Sequence, residues 1–245
     1  VIGNGAYETG PLRNPLHDAE DMAAALHNLG FSVTLLGDAD LRAMIEAIDT
    51  FSRQLRRGGA GLFYFAGHGV QIRGENYLIP LRAKISREQD VPYEGLPVGR
   101  VLGAMEDAGN PLNIIVLDAC RDNPFARQWR SAERGLAVTQ ALHGSLIAYA
   151  TAPGGVAIDG NQRNGLYTSQ LLRHLTTPGL SIEHVFKRVR ADVVNATGGK
   201  QVPWESSSLI GDFIFAAGGP EARRASAPSP RPAEPASQSL ASAPP

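Results

Sequence analysis

His68 and Cys120 are the two residues of this chain whose types and settings suit covalent chemistry. Cys120 is the single cysteine. It stands in "LNIIVLDACRDN", where an apolar run over 112–117 gives way to Asp118, Arg121 and Asp122. His68 stands in "GLFYFAGHGV", again just past an apolar run, with Gly67 and Gly69 on either side. The two lie 52 residues apart. A free thiol has a pKa of about 8.5 and is mostly protonated at neutral pH. An imidazole beside it can accept that proton and later return it to a leaving amine, while the thiolate attacks a carbonyl. The backbone N–H groups of Gly69 and Cys120 are the natural oxyanion donors. The reaction so described is acyl transfer, with amide hydrolysis as its usual case. A lone cysteine is more often a small buried hydrophobe, and a Gly-His-Gly loop is more often a turn. Their joint placement at two strand exits sets this pair apart.

The elements that must position them can be read from periodicity. Residues 31–36, 61–65, 112–117 and 145–150 are short, β-branched or aromatic, and apolar on both faces, as strands covered on both sides are. Val1-Ile2 reads as the tail of a further strand. Helical spacing predicts helices over 18–29, 41–56, 97–108, 165–176 and 182–196, with Asn164 and Ser181 as caps of the last two. A hairpin is expected over 70–80, turning at Gly74-Glu75. Strand–helix alternation of this kind predicts an α/β sandwich around a mainly parallel sheet. Ligands bind such sheets outside the carboxyl ends of the strands. If the strands ending at His68 and Cys120 are adjacent, a thiol and an imidazole share one edge. Residues two apart on a strand share a face, so Asp118 is expected to line the same cleft as Cys120.

Composition bounds the rest. The chain has 245 residues, 23 basic and 24 acidic, for a net charge of −1. No polyanion-binding footprint is present, so nucleic acid is a poor partner. One cysteine excludes an internal disulfide framework and cysteine-rich zinc sites, and no metal site is expected. No apolar stretch reaches the ~20 residues that span a bilayer. After Phe215 the composition shifts to Ala, Pro and Ser, with seven of the chain's 17 prolines. Residues 1–215 are therefore read as one catalytic domain and 216–245 as a disordered linker to something beyond. The start at Val1 reads as a trimmed N-terminus. A monomer is expected.

The motifs resemble those of the caspase-like cysteine peptidases (peptidase C14). "DACRD" keeps the Ala-Cys-Arg core of the animal caspase signature, and a histidine about 50 residues upstream fits that family's spacing. Asp118 stands where animal caspases carry glutamine, which is similar to the metacaspase branch and its bacterial members. "VIGNGAY", "LRNPLHDAEDMAAALHNLGF", "YFAGHGVQ", "NYLIP" and "LIAYATAPGG" agree with it. The resemblance implies a caspase-like α/β/α sandwich with a six-stranded, mainly parallel sheet. It implies a cysteine endopeptidase acting on protein or peptide substrates with a basic residue before the scissile bond (P1). It assigns the S1 pocket to Asp18 and Asp118, whose carboxylates could hold a guanidinium. Two plainer uses stay open: Asp18 as a helix cap and Asp118 as a turn carboxylate.

Many metacaspases bind calcium after the histidine hairpin, where this chain reads Ile79-Pro80-Leu81-Arg82. A cation there opposes a hard metal, so no calcium and no other cofactor is expected. The arginine-rich stretch 121–136 offers Arg127, Arg130 and Arg134 as self-cleavage sites, or an ordinary exposed loop. His17, His27, His143, His174 and His184 read as surface or packing residues. Two competing functions remain, a silent caspase-like scaffold and a thiol hydrolase of non-peptide esters. Gly-x-Gly in "VIGNGAY" without a third glycine argues weakly for nucleotide binding.

Overall fold

A computed structural model describes residues 1–119, the backbone of Cys120, and residues 135–153, 155 and 162–217. Its central sheet runs β2 (Leu36–Gly37), β1 (Ile2–Gly3), β3 (Ala60–Ile72), β6 (Leu112–Cys120), β7 (Ser145–Tyr149) and β8 (Trp204–Ser207). The first five are mutually parallel and β8 closes the edge antiparallel. Two further short strands, β4 (Glu75–Leu78) and β5 (Leu96–Pro97), branch from β3 as a small antiparallel sheet.

Period-two alternation divides the core. Phe63, Phe65, Ile115 and Leu117 pack with Met44 and Ile48 of α2 (Leu41–Leu55) and Val101 and Met105 of α4 (Val98–Asp107). Tyr64, Ala66, Ile114 and Val116 pack with Met22 and Leu26 of α1 (Pro15–Asn28), Leu171 of α5 (Leu166–Leu175) and Val185 and Val189 of α6 (Ile182–Thr197). Each of these large apolar side chains contributes about 1.5–3 kcal/mol by leaving water. The short α3 (Val91–Glu94) lies beside the small sheet. This is the expected sandwich, with six strands in the main path. Among the described residues no helix is long and apolar enough to cross a membrane.

Three local expectations need correction. A strand is expected over 31–36, yet the ladder with β1 covers only Leu36 and Gly37, and Thr34 and Leu35 are both exposed. The hairpin turns at Arg73-Gly74, one residue earlier than expected, because Ile72 pairs with Glu75. Both turn residues have positive φ (52° and 82°), as a two-residue hairpin loop with the right-handed strand twist requires. Gly165 occupies the position before α5 that was assigned to Asn164. The Asn164 amide donates to Asp21 of α1 instead. The tail over 218–245 lies outside the described residues.

Candidate active site

β3 belongs to two sheets, and His68 marks where it passes from one to the other. Residues 60–68 pair in parallel with β6, and 69–72 pair antiparallel with β4. The last parallel pair is His68 with Cys120. Adjacent strands lie about 4.8 Å apart, so the two residues leave one sheet edge side by side, and the adjacency on which the sequence reading depended is met.

The histidine is held from several directions. It is 3% exposed. Its Nε2 lies 2.6 Å from the Gly10 carbonyl oxygen. A carbonyl can only accept, so Nε2 carries the proton and Nδ1 is the basic nitrogen of the neutral ring. The Tyr7 hydroxyl accepts the His68 backbone N–H at 3.0 Å and donates to the Ile79 carbonyl at 2.9 Å. Ile79 N–H in turn donates to the His68 carbonyl at 2.9 Å. The tyrosine ring lies against the imidazole, centroids 4.4 Å apart. The flanking glycines are required by space. A Cβ on Gly67 would stand 2.7 Å from the Tyr7 hydroxyl, and one on Gly69 3.0 Å from Ala119 Cβ.

The two aspartates also converge. Asp18 sits in the first turn of α1, four residues after Asn14, which holds the cap position. A cap for α1 is therefore not its use. It is 3% exposed, and its Oδ1 accepts the Gly165 N–H at 2.9 Å. Asp118, half-buried, accepts the Thr168 hydroxyl on Oδ2 at 2.6 Å. A Cβ built on Gly165 would stand 3.2 Å from Asp18 Oδ2 and 3.7 Å from Asp118 Oδ2, so both carboxylates face one space. The Gly165 N–H and the Thr168 hydroxyl are neutral donors. They hold the two carboxylates in position. The N-terminal end of α5 points into the same region and favours their negative charge. Two buried phenols sense it. Burial, then the charges of Asp118 and Asp18, push the Tyr64 hydroxyl well above its ordinary pKa. Burial, then Asp118 and Glu205, do the same for Tyr167.

The sequence matches the family described as Peptidase_C14, caspase domain, over residues 1–214. The chain belongs to the caspase-domain family. It is also 31% identical over 179 residues to mucosa-associated lymphoid tissue lymphoma translocation protein 1 of Homo sapiens and to its homolog in Mus musculus. Each alignment covers 71% of this chain and 20% of the relative, so the chain spans about a fifth of the length of the curated relatives it matches.

In this caspase domain several site residues carry no signal in the sequence. Tyr7 and Gly10 come from the loop after β1, and Thr168 from α5. Each acts through tertiary contact. The "VIGNGAY" stretch supports the histidine loop through Tyr7. Asn4 is fully buried, with its amide bonded to Ala39 and Ile79. The Gly5 and Ala6 N–H groups both donate to Asp38. Asn76 binds both backbone groups of Ala137 and so docks the chain after residue 135 beside the histidine. Leu136 packs next to Gly69 there. The loop leading into α5 is tied to α1 by Arg163, which chelates Asp21 and reaches Glu20. His174 is a packing residue bonded to Asp192 at 2.8 Å. Arg127, Arg130 and Arg134 lie outside the described residues. Among the described residues no cluster of His, Cys, Asp and Glu has metal-binding form.

Proposed function

We propose that this domain is a cysteine endopeptidase that uses His68 and Cys120 and cleaves after Arg or Lys. The observation that carries the reading is the convergence of Asp18 and Asp118 on one space, beside the strand end that pairs with His68. In this mechanism His68 Nδ1 takes the Cys120 thiol proton, with Nε2–H anchored on the Gly10 carbonyl. The thiolate adds to the scissile carbonyl, and the Gly69 and Cys120 N–H groups receive the oxyanion. The C–N bond breaks, and the protonated imidazole gives its proton to the leaving amine. Water, deprotonated by His68, then attacks the thioester, and the carboxylic acid and free thiol are released. The cation of P1 sits between the carboxylates, which would repel an acidic P1 side chain. In this reading an aspartate at position 118, where animal caspases carry glutamine, serves a basic P1 as in the metacaspase branch.

Calcium is not needed in this reading. Asp90 accepts the N–H groups of Arg87 and Ser86, and Glu94 accepts that of Lys84. These two acids that follow the hairpin are thus engaged by local backbone. Self-cleavage at Arg127, Arg130 or Arg134 is the processing expected of an Arg-selective peptidase with so arginine-rich a sequence after its cysteine. The test is hydrolysis of fluorogenic peptides ending in Arg, Lys or Asp, with and without a chelator. Cleavage after Arg and Lys, unaffected by chelator and abolished in Cys120→Ala, supports the reading. Equal signal from wild type and Cys120→Ala would leave a silent scaffold. Cleavage after Asp alone would remove the cation pocket.

A further inference from the structure

Gly165 has φ −58° and ψ 152°, an extended conformation open to every amino acid. No turn demands a glycine at this position. Space does, because any side chain there would enter the region that Asp18 and Asp118 share. One turn into α5, Thr168 is fully buried, with its hydroxyl 2.6 Å from Tyr64 Oη and 2.6 Å from Asp118 Oδ2. A carboxylate only accepts, so Thr168 donates to Asp118 and Tyr64 donates to Thr168. Rotating Asp118 away would leave the buried Thr168 hydroxyl without its acceptor, at the cost of an unmet hydrogen bond, while Tyr64, donating to Thr168, keeps that hydroxyl turned toward Asp118. The carboxylate is thus locked from behind by residues of β3 and α5.

We propose that the entry to α5 sets the substrate preference of this domain: Thr168 is a positioning residue that fixes Asp118, and Gly165 keeps open the space where the P1 cation binds. This rests on the reading of Asp18 and Asp118 as the P1 pocket. A planar guanidinium needs two acceptors at fixed geometry, whereas an ammonium accepts a looser arrangement. Losing the lock therefore costs Arg more than Lys.

The experiment measures kcat and KM for Arg and Lys peptides in wild type, Thr168→Val, Thr168→Ser, Tyr64→Phe and Gly165→Ala, with folding checked by circular dichroism. Thr168→Val is expected to raise KM for Arg about tenfold, the scale of one charge-assisted hydrogen bond, and to lower the Arg-to-Lys ratio. Thr168→Ser restores both. Tyr64→Phe, which keeps the Thr168 hydroxyl, moves the ratio the same way by less and serves if Thr168→Val does not fold. Gly165→Ala raises KM for Arg and Lys together. Wild-type KM and ratio in both Thr168→Val and Gly165→Ala overturn the inference. Arg cleavage that survives Asp18→Asn and Asp118→Asn overturns the pocket reading beneath it, and the inference with it.

Discussion

Tyr7→Phe removes one oxygen from the support of His68. The Tyr7 side chain is 9% exposed, and its hydroxyl bridges the His68 N–H and the Ile79 carbonyl. Ile79 retains a bond from the Asn4 amide at 3.4 Å, so the larger loss falls on the His68 N–H. A buried donor deprived of its acceptor costs about 1–3 kcal/mol. For a domain of this size each kcal/mol lowers Tm by about 2–4 °C, so a fall of roughly 2–12 °C is expected. The ring stays and keeps its contact with the imidazole, so the effect is confined to the hydroxyl. His68 then loses a constraint on its position. Small misplacement of a catalytic group is costly, and a fall in kcat of about tenfold with little change in KM is expected. Calorimetry and peptide hydrolysis on the same preparation measure both. Tyr93→Phe, at a position 82% exposed, serves as the control and should alter neither. If Tyr7→Phe unfolds and turns over like the wild type, the hydroxyl clamp is not what holds the histidine.

Other consequences can be measured separately. Asn76→Ala removes both bonds to the Ala137 backbone, so urea unfolding should show a loss of about 1–3 kcal/mol, and amide exchange should quicken over 136–139. Tyr64 and Tyr167 have folded pKa values raised well above the unfolded 10.0. Their contribution to stability is present below pH 10 and lost as pH rises beyond it. In an ultraviolet titration, Tyr64 and Tyr167 should ionise only together with alkaline unfolding. Hydrogen bonding and charge from Arg163 hold the Asp21 carboxyl below its ordinary range. That stabilisation is present at neutral pH and lost as pH falls through the lowered pKa. Arg163→Ala should return Asp21 upward in an NMR titration and cost less than about 1 kcal/mol, since the pair is largely exposed.

The buried frame was legible because its signal is local. Continuous apolar runs marked β3, β6 and β7, and their charged or glycine-rich exits marked the edge where His68 and Cys120 emerge. Residues 31–35 misled because a β-branched, apolar run describes only a local preference, whereas a strand also needs a ladder. The cap of α5 was misplaced because Asn164 has a better use on Asp21 of α1. Tyr7, Gly10 and Thr168 were invisible for a different reason. A hydroxyl or carbonyl that reaches another element leaves no periodic trace, and its partner is 50 residues or more away in sequence. Asp18 and Asp118 were named by resemblance to a family. The structure adds that they face one space over a glycine whose backbone has no need to be glycine.

The central claim is tested most directly by a tripeptidyl halomethyl ketone with Arg at P1, followed by mass spectrometry of the modified chain. The account predicts one equivalent of label, all on Cys120, lost in His68→Ala, and little or none when P1 is Asp. Label spread over other nucleophiles, or equal labelling by the Arg and Asp reagents, would contradict it.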